Sequence, residues 1–456
     1  MHNLVLIVLD SARRDRFGCY GYARSTTPCV DRLATEGLVF ERMIAPAPWT
    51  VPSHASLFTG LYPREHGAHF PAPVLRSDDA TLASHLAAHG YQCVAVSANT
   101  LVIEDRRLAA GFAEVVGRSD LEERSRWRRG LRLVAGYRDA GAAAIAGHVI
   151  GRVRAWSRPY FLFVNLMECH WDYAPPWPYE RRFVRHRTTR VGSVLRHRRL
   201  RDASGWEVLT TADAATRALY SDLYDGALAW ADRHVGLILE AIERAGDAAQ
   251  TVVAVLADHG EHLGQGGLAD HQASLSQVLI QIPCVVRLPE GRRARISGLV
   301  QTTDLAASLC RRMGVPVPGH LVSRPGSVDP FSLAPTAPGR ALAFSEWQHW
   351  GDEKMASLQA RAPSVDFARL PRGLEAVQDR RYKLVRELAT GAEALYDLAE
   401  DPSEQHDRGQ EAFEIAGRLR AGLEQWRGQH PAAAPRVFSP EEEAILDARL
   451  RQLGYV

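Results

Sequence analysis

Short apolar runs rich in β-branched residues alternate with longer segments of helical periodicity over the first two thirds of the chain. The runs that predict β-strands are residues 4–9, 92–97, 160–166, 251–257 and 284–288. A continuous apolar run is typical of a strand buried on both faces, and such strands occur in mostly parallel sheets covered by helices. We therefore predict an α/β fold in which a mostly parallel sheet is sandwiched by helices.

Two of the intervening segments predict helices with recognisable ends. Residues 80–89 precede Gly90, and a much longer helical segment, residues 213–245, precedes Gly246. Glycine adopts the left-handed backbone conformation that ends many helices. We expect each of these glycines to end its helix.

The pattern changes after residue 335, beyond a stretch rich in proline and glycine. Short strand-like runs then follow one another at the spacing of hairpins, at residues 342–347, 374–379, 382–386 and 394–398. Residues 413–427 predict a helix. We expect a large α/β domain over residues 1–335 and a C-terminal subdomain over residues 336–456, in which one helix covers a small antiparallel sheet.

The composition agrees with a folded protein and argues against some classes of function. The chain has 456 residues, of which 46% are hydrophobic and 24% charged, and its formal charge is +2. That balance argues against a dedicated nucleic-acid-binding protein. No apolar run approaches the ~18 residues that span a bilayer, and the N-terminus leads into a strand without the pattern of a signal peptide. We predict no nucleic-acid partner, no transmembrane segment and a cytoplasmic location; the sequence leaves the oligomeric state open.

The six cysteines show no paired spacing of the kind that forms a zinc site. Two of them, Cys93 and Cys284, lie inside apolar runs, as small buried hydrophobic residues often do. We therefore expect isolated thiols, which are typical of a reducing compartment.

Acidic residues and histidines follow three of the predicted strands at the points where the strands end. Asp10 follows the first strand, Glu168 and His170 follow the third, and Asp258 and His259 follow the fourth. Because ligands bind beyond the carboxyl ends of parallel strands, these side chains should meet at one edge of the sheet. Carboxylates with an imidazole predict a site for a hard divalent metal ion, and capping of the following helices is the alternative.

Residues 47–60, between the first two predicted strands, contain a proline followed by small hydroxyl residues and an apolar run. This pattern predicts a helix with Pro52 in its first turn and Thr50 at its N-terminus, where free N–H groups favour an anion. In one interpretation Thr50 is only a structural cap. Beside a metal ion, however, its hydroxyl can be deprotonated and become a nucleophile, which it cannot do unaided at neutral pH.

Several short motifs follow one another in order along nearly the whole chain: residues 3–10 (NLVLIVLD), 18–21 (GCYG), 27–28 (TP), 50–60, 258–261 (DHGE), 381–384 (RYKL), 395–398 (LYDL) and 401–402 (DP). Together they resemble the sulfatase branch of the alkaline phosphatase superfamily. The resemblance implies an alkaline phosphatase-like fold and a metal-dependent hydrolase whose partner is a small anionic ester substrate.

The sequence departs from the sulfatase pattern at the nucleophile. Sulfatases carry Cys or Ser in a C/S-x-P-x-R pattern and convert it to formylglycine, whereas Thr50 holds that place here and His54 replaces the arginine. The Asp-Asp pair expected after the first strand is Asp10-Ser11. A threonine nucleophile with this ligand set resembles the phosphoryl-transferring relatives, which include phosphodiesterases and phosphonate monoester hydrolases.

Position by position, the resemblance assigns the metal ligands to Asp10, Thr50, Asp258 and His259, with Thr50 also the nucleophile. These oxygen-rich ligands with a single imidazole predict one divalent ion, Mn²⁺, Mg²⁺ or Ca²⁺. Many phosphatase relatives hold two ions about 4 Å apart, and the sequence leaves a second metal open.

Four further residues are candidates for contact with the substrate. His170 and His271 fall where relatives place groups that hold the oxyanion or protonate the leaving group. Asn99, which follows the strand at residues 92–97, and His54 are candidates for substrate binding. The alternative for His54 is a supporting role beside Thr50.

The remaining charged segments have less specific interpretations. Two arginine-rich stretches, residues 118–138 and 181–201, either attract a polyanionic substrate or form a solvated insertion, and we favour the insertion. Asp222, Asp225 and Asp232 lie on the long predicted helix, where we expect a solvated face.

The leading functional hypothesis is a metal-dependent hydrolase of phosphate mono- or diesters that forms a covalent phospho-Thr50 intermediate. The alternatives are a sulfuric ester hydrolase (a sulfatase), a soluble phosphotransferase and a non-catalytic binding protein of the same fold. The presence of Asp10, Asp258 and His259 argues against the last of these.

Overall fold

The computed structural model describes residues 1–70, 73–76, 80–105, 107–121, 139–185, 189, 192–193 and 205–434. The strands within these ranges are β1 Asn3–Leu9, β2 Leu38–Ile44, β3 Gln92–Ser97, β4 Glu114–Val116, β5 Tyr160–Leu166, β6 Thr251–Leu256, β7 His262–Leu263, β8 Ala269–Asp270, β9 Gln281–Ile282, β10 Cys284–Arg287, β11 Ala294–Gln301, β12 Ala343–Trp347, β13 Leu374–Gln378, β14 Tyr382–Glu387 and β15 Glu393–Asp397. The helices are α1 Pro28–Glu36, α2 Thr50–Thr59, α3 Pro63–His66, α4 Leu82–Ala88, α5 Thr100–Ile103, α6 Arg118–Leu121, α7 Ala142–Arg152, α8 Trp177–Phe183, α9 Gly205–Thr211, α10 Ala214–Arg244, α11 Gln277–Ile280, α12 Leu305–Met313, α13 Asp352–Arg361 and α14 Phe413–Gln429.

The large sheet has the strand order β11-β2-β10-β6-β1-β5-β3-β4, and β9 pairs with β2. Its centre, from β6 through β1 and β5 to β3, is parallel. Every residue of β1, β5 and β6 is buried, as expected for strands covered on both faces. The predicted α/β fold with a mostly parallel sheet is therefore confirmed.

One predicted strand runs in the opposite direction to the central strands. β10 is antiparallel to both of its neighbours, β6 and β2. A parallel return after β6 is usually built around a helix that crosses the face of the sheet, whereas the connection here contains only short helical segments and short strands. The direction of a strand depends on its connection, so the apolar run alone does not reveal it.

The helices form two groups that pack among themselves. The long helix α10 contacts α1, α7 and α8, and α2 contacts α3, α4, α5 and α12. The two helices predicted from periodicity are α4 and α10. Gly90 and Gly246 follow them with φ of +88° and +83°, the left-handed conformation expected at these ends.

The C-terminal strands form the predicted antiparallel sheet, in the order β12-β13-β14-β15. Helix α14 packs on it through a small apolar cluster that includes Val377, Leu384, Leu395, Leu419 and Trp426. The boundary at residue 335 stays a prediction.

The C-terminal sheet contacts the segment that leads to Thr50. In β12, the Ser345 hydroxyl donates to the carbonyl of Ala45 over 2.7 Å, and the Glu346 N–H donates to the carbonyl of Pro46 over 2.9 Å. Residues 45–46 begin the segment 45–49, which connects β2 to α2. The C-terminal sheet therefore fixes the backbone that leads to Thr50.

The same sheet also contacts the loop that follows His271. Lys383 in β14 is fully buried and donates to the carbonyl of Leu275 and to the carboxylate of Glu404. That carboxylate accepts the N–H of Gln277 over 2.6 Å. We call these contacts, together with those of Ser345 and Glu346, the C-terminal braces.

The three aspartates of the long helix are buried, so the prediction of a solvated face is wrong. Asp225 pairs with Arg16 and Arg24 at 3.1 and 2.6 Å, and Asp222 pairs with Arg24 at 2.6 Å. Asp232 accepts two backbone N–H groups at the start of α1, each over 2.9 Å. Burial raises the pKa of Asp232 to about 6. Their partners lie about 200 residues away in sequence, so the local charge pattern carried no sign of them.

Three further expectations concern the cysteines, membrane-spanning segments and the arginine-rich stretches. All six cysteines are free thiols, as predicted. Among the helices in the described ranges, none has the length and apolar character needed to span a bilayer. Most of the two arginine-rich stretches, namely residues 122–138, 186–188, 190–191 and 194–201, lies outside the described residues. Their solvation therefore stays a prediction.

Candidate metal centre and active site

The carboxyl edge of the parallel strands brings the predicted ligands together. Asp10 follows β1, and Asp258 and His259 follow β6, the neighbour of β1. One ligand atom from each of these three residues lies within 4.8 Å of the other two, and all three side chains are buried. The strand-end pattern therefore predicts a cluster that the fold does form.

The orientation of His259 suits a metal ligand better than a hydrogen-bond donor to the cluster. Its Nδ1 lies 2.8 Å from the carbonyl of Gly260, which can only accept, so Nδ1 carries a proton. In the neutral ring, Nε2 then presents a lone pair, 3.2 Å from Oδ2 of Asp258 and 3.8 Å from Oδ1 of Asp10. Acceptors that face one another at this distance are unfavourable unless a proton or a metal ion lies between them.

The second carboxylate oxygen of Asp258 also indicates a site for a cation. Its Oδ1 accepts the N–H groups of Ser11 and His259 over 3.1 and 2.9 Å, whereas Oδ2 is buried and accepts no hydrogen bond from the part of the chain that the structure describes. The residues thus fit a hard divalent ion, as their two carboxylates and one imidazole suggest.

Thr50 joins this cluster from the other side. It is the first residue of α2, as predicted, and is fully buried. Its hydroxyl oxygen lies 3.3 Å from Nε2 of His259. The hydroxyl therefore stands next to the metal-binding atoms at a helix N-terminus, where N–H groups and the helix dipole favour developing negative charge.

The amide side chains behind Asp10 hold its carboxylate in place. Asn99 donates to Oδ2 of Asp10 over 3.0 Å, and Asn165 donates to the same oxygen over 3.4 Å. The Ser11 hydroxyl donates to Oδ1 over 3.2 Å. Contact of Asn99 with substrate stays a prediction. Asn165 is not among the predicted site residues, although a single amide inside the apolar run of β5 is a visible signal.

His54 supports two of the predicted ligands. Its Nδ1 lies 2.9 Å from the carbonyl of Thr50, one helical turn away, and 3.5 Å from Oδ2 of Asp258. Its Nε2 is 3.4 Å from the amide of Asn165. These contacts match the alternative in which His54 positions Thr50, and substrate binding by His54 stays a prediction.

His170 and His271 lie side by side next to the metal centre. Their ring centroids are 5.1 Å apart, and the ring of His271 stacks on that of His259 with the centroids 4.4 Å apart. His170 is oriented by its Nδ1, 2.8 Å from the carbonyl of Trp171. The structure therefore brings both candidates to the cluster formed by the ligands.

Glu168 does not belong to the metal centre, although it also follows a strand. It accepts the N–H of Ala142 over 2.8 Å, at the start of α7. Burial raises the pKa of its carboxyl to about 8. The capping interpretation holds for this residue, because its side chain points toward a helix N-terminus.

A lysine from the C-terminal part of the chain also reaches this region. The ammonium of Lys354 in α13 lies 5.5 Å from the ring centroid of Phe70, which stacks on Trp49, the residue before Thr50, at 4.5 Å. Burial lowers the pKa of Lys354 to about 7, and the charge of Asp270 opposes that shift. No sequence signal connects α13 with the site, because the approach depends on the packing of the C-terminal sheet.

A mostly parallel α/β sheet with a carboxylate–imidazole cluster beyond its strand ends, and a buried hydroxyl at a helix N-terminus beside that cluster, indicates an α/β enzyme whose ligand binds at this edge of the sheet. The sequence model of the family described as Sulfatase matches residues 2–315, well over half of the chain. The chain therefore belongs to the sulfatase family of hydrolases, and the predicted superfamily is confirmed.

Particular relatives span nearly the whole chain at low identity. An uncharacterized sulfatase, YidJ of Escherichia coli K12, is 23% identical over 437 residues, which cover 89% of this chain and 82% of YidJ. The phosphonate monoester hydrolase of Agrobacterium radiobacter shares the fold, with a TM-score of 0.72, 22% identity and coverage of 94% of this chain and 96% of that one. BT4656, solved in complex with its substrate D-glucosamine-2-N,6-O-disulfate, has a TM-score of 0.74, 17% identity and coverage of 94% and 98%.

Proposed function

We propose that the protein is a metal-dependent hydrolase of phosphate esters in which Thr50 is the nucleophile. The observation that carries this proposal is the hydroxyl of Thr50, buried at the N-terminus of α2 and 3.3 Å from Nε2 of His259, beside Asp10 and Asp258. A divalent ion bound by these residues supplies Lewis acidity, which lowers the pKa of the hydroxyl and stabilises charge on the ester.

The side chains provide a balanced double displacement. The Thr50 hydroxyl passes its proton to solvent, and its oxygen bonds to phosphorus while the bond to the leaving oxygen breaks; His170 or His271 protonates that oxygen. The same imidazole then takes a proton from water as the water oxygen attacks phosphorus, the bond to Thr50 breaks, and the threonine oxygen regains a proton from solvent. The imidazole that does not act as the acid donates a hydrogen bond to the oxyanion.

Phosphoryl transfer suits threonine better than sulfuryl transfer. A formylglycine hydrate can release sulfate by eliminating its hemiacetal, so the covalent sulfate ester need not be attacked at sulfur. The Thr50 ester has no second hydroxyl on that carbon, and release requires attack on the central atom of the transferred group. The fold shared with a phosphonate monoester hydrolase supports phosphoryl transfer as the proposed reaction.

A sulfuric ester hydrolase is the second candidate function. The family match favours it, and so do the name of YidJ and the sulfated substrate of BT4656. A phosphotransferase differs only in the second step, where an acceptor hydroxyl replaces water.

Turnover of a panel of nitrophenyl esters distinguishes these functions. We expect the Mn²⁺-loaded protein to hydrolyse a phosphate monoester, a phosphate diester or a phosphonate ester at least about 100-fold faster than the sulfate ester, measured as kcat/KM. An added alcohol that diverts product from free phosphate to an alkyl phosphate would indicate the transferase. Efficient sulfate-ester hydrolysis with no phosphate-ester turnover would refute the proposal and favour the sulfatase.

Alanine variants of the two histidines should each slow the reaction. We expect His170→Ala and His271→Ala to lower kcat by about 100-fold or more on an ester with a poor leaving group, because each removes a proton or hydrogen-bond donor. The exposed His406 provides the matched control, and His406→Ala should leave kcat unchanged. If both site variants turn over at the wild-type rate, the assigned roles are wrong.

A further inference from the structure

The side chain of Lys354 is buried close to the proposed site, although the residue lies outside the region that the family model matches. Lys354 belongs to the first turn of α13, whereas the match ends at residue 315. The chain contains one other lysine, Lys383, which is one of the C-terminal braces. Neither the metal centre nor the double displacement uses Lys354, so its charge is available for another role.

Differences in exposure show which side of the site is open. The proposed metal ligands and His271 are buried. His170 is half-buried, and the side chain of Asp270 is 32% exposed. These partly exposed groups mark the side from which an ester can reach Thr50.

Two neighbours place the Lys354 ammonium beside this approach. Its Nζ lies 5.5 Å from the ring centroid of Phe70, which stacks at 4.5 Å on Trp49, the residue before Thr50. The ammonium also interacts electrostatically with the carboxylate of Asp270. The positive charge therefore lies between the start of α2 and the partly exposed carboxylate.

A buried hydrogen bond fixes α13 in this position. The indole N–H of Trp350, just before α13, donates to the side-chain oxygen of Gln272, which directly follows His271. The ring of Trp350 also packs against the rings of Trp206 and Trp347, with centroid distances of 6.3 and 5.2 Å. The loop that carries His271 thus helps to set the position of Lys354.

The charge of Lys354 affects how strongly the open side attracts an anionic ester. The carboxylate of Asp270 repels anions, and the ammonium that interacts with it offsets this repulsion. Because the Coulomb energy is proportional to the charge of the ligand, the ammonium attracts a dianion twice as strongly as a monoanion at the same place. A phosphate monoester carries close to two negative charges near neutral pH, whereas a phosphate diester or a sulfate ester carries one.

We propose that Lys354 is a specificity-determining residue that selects dianionic esters, the phosphate monoesters, over monoanionic ones. The inference rests on the proposed function for the reaction and names its substrate class. The ammonium binds the additional negative charge of the substrate and takes no part in making or breaking bonds. Through α13, the C-terminal part of the chain then contacts the substrate.

Steady-state kinetics of the Mn²⁺-loaded enzyme on a nitrophenyl phosphate monoester and diester tests this inference. Lys354→Met removes the charge and should lower kcat/KM by about 100-fold for the monoester and about tenfold for the diester, since the Coulomb energy lost is twice as large for the dianion. Lys354→Arg retains the charge and should retain the preference for the monoester. Equal losses on the two esters in folded Lys354→Met would overturn the inference.

Arg361→Met is the matched control for the loss of one positive charge. Arg361 is exposed and ends the same helix, α13. Its removal should change kcat/KM for either ester by less than about threefold, because solvent screens exposed charges. A loss of the monoester preference in this variant as large as that in Lys354→Met would show that only the net charge of the chain matters, and would overturn the inference.

Binding of two inert anions makes the test independent of turnover. Sulfate is a dianion, and methanesulfonate is a monoanion of similar tetrahedral shape. Calorimetric titration of the Mn²⁺-loaded wild type should show at least about tenfold tighter binding of sulfate, and Lys354→Met should lose about tenfold of that preference. Equal binding of the two anions by the wild type would overturn the inference even if Lys354→Met does not fold. Absence of phosphate-ester turnover would instead refute the proposed function, and the preference for the dianion would still be measured.

Discussion

Replacing Thr50 by Ala is expected to abolish ester hydrolysis, with a fall in kcat/KM on the order of 10⁴-fold or more on the best phosphate ester. The reason is that the variant has no oxygen to form the covalent intermediate next to His259. Thr50→Ser keeps the hydroxyl and should keep part of the activity. Steady-state kinetics on the Mn²⁺-loaded variants, with circular dichroism to confirm folding, provides the measurement.

Ser53→Ala is the matched control for the loss of a buried hydroxyl from α2. The Ser53 hydroxyl donates over 2.8 Å to the carbonyl of Ala47, which is not one of the predicted ligand atoms. Its removal should change kcat/KM by less than about tenfold, since a single neutral hydrogen bond contributes only about 1 kcal/mol. Turnover by Thr50→Ala within tenfold of the wild type would exclude Thr50 as the nucleophile.

Replacing Asp258 by Asn should remove both the ion bound at Asp10, Asp258 and His259 and the ester hydrolysis. The amide retains the shape of the carboxylate but loses the charge on Oδ2, the oxygen that accepts no hydrogen bond from the described residues. We expect the affinity for Mn²⁺ at this centre to fall by more than about 100-fold, with hydrolysis lost in parallel. Calorimetric titration with Mn²⁺ and the ester assay measure the two effects.

Asp232→Asn is the control for neutralising a buried aspartate. Asp232 accepts two backbone N–H groups at the start of α1, away from the ligands. This variant should lose about 1 kcal/mol of unfolding free energy while keeping its metal and its turnover. Full metal occupancy in Asp258→Asn would show that the ligand assignment is wrong.

The sequence predicts the residues that follow strands because that rule is local. Asp10, Asp258 and His259 each stand at the end of a buried run, and the parallel sheet brings such ends to one edge. The same rule fails for Glu168, whose side chain turns to the N-terminus of α7. The rule identifies a position along the chain, and the direction of the side chain depends on the neighbouring helix.

Contacts between distant segments explain the other misses. Lys354 is not among the predicted site residues, because its approach to Asp270 depends on how α13 packs against the loop that follows His271. The pairing of Asp225 with Arg16 and Arg24 joins segments about 200 residues apart. Such pairs become visible only when the sheet order is known.

The C-terminal braces connect the antiparallel sheet to the backbone on either side of the proposed site, although the sheet contributes none of the proposed ligands. All the proposed metal ligands and the side chains of the double displacement lie within residues 2–315, the region matched by the family, whereas the braces start from Ser345, Glu346 and Lys383. A fragment restricted to the matched region would keep every reactive group and lose the support of the backbone on either side of them. Substitutions in this sheet can therefore shift the backbone that positions the proposed site. Such a shift would change the rate at which a given ester is hydrolysed, although the sheet contributes no proposed ligand.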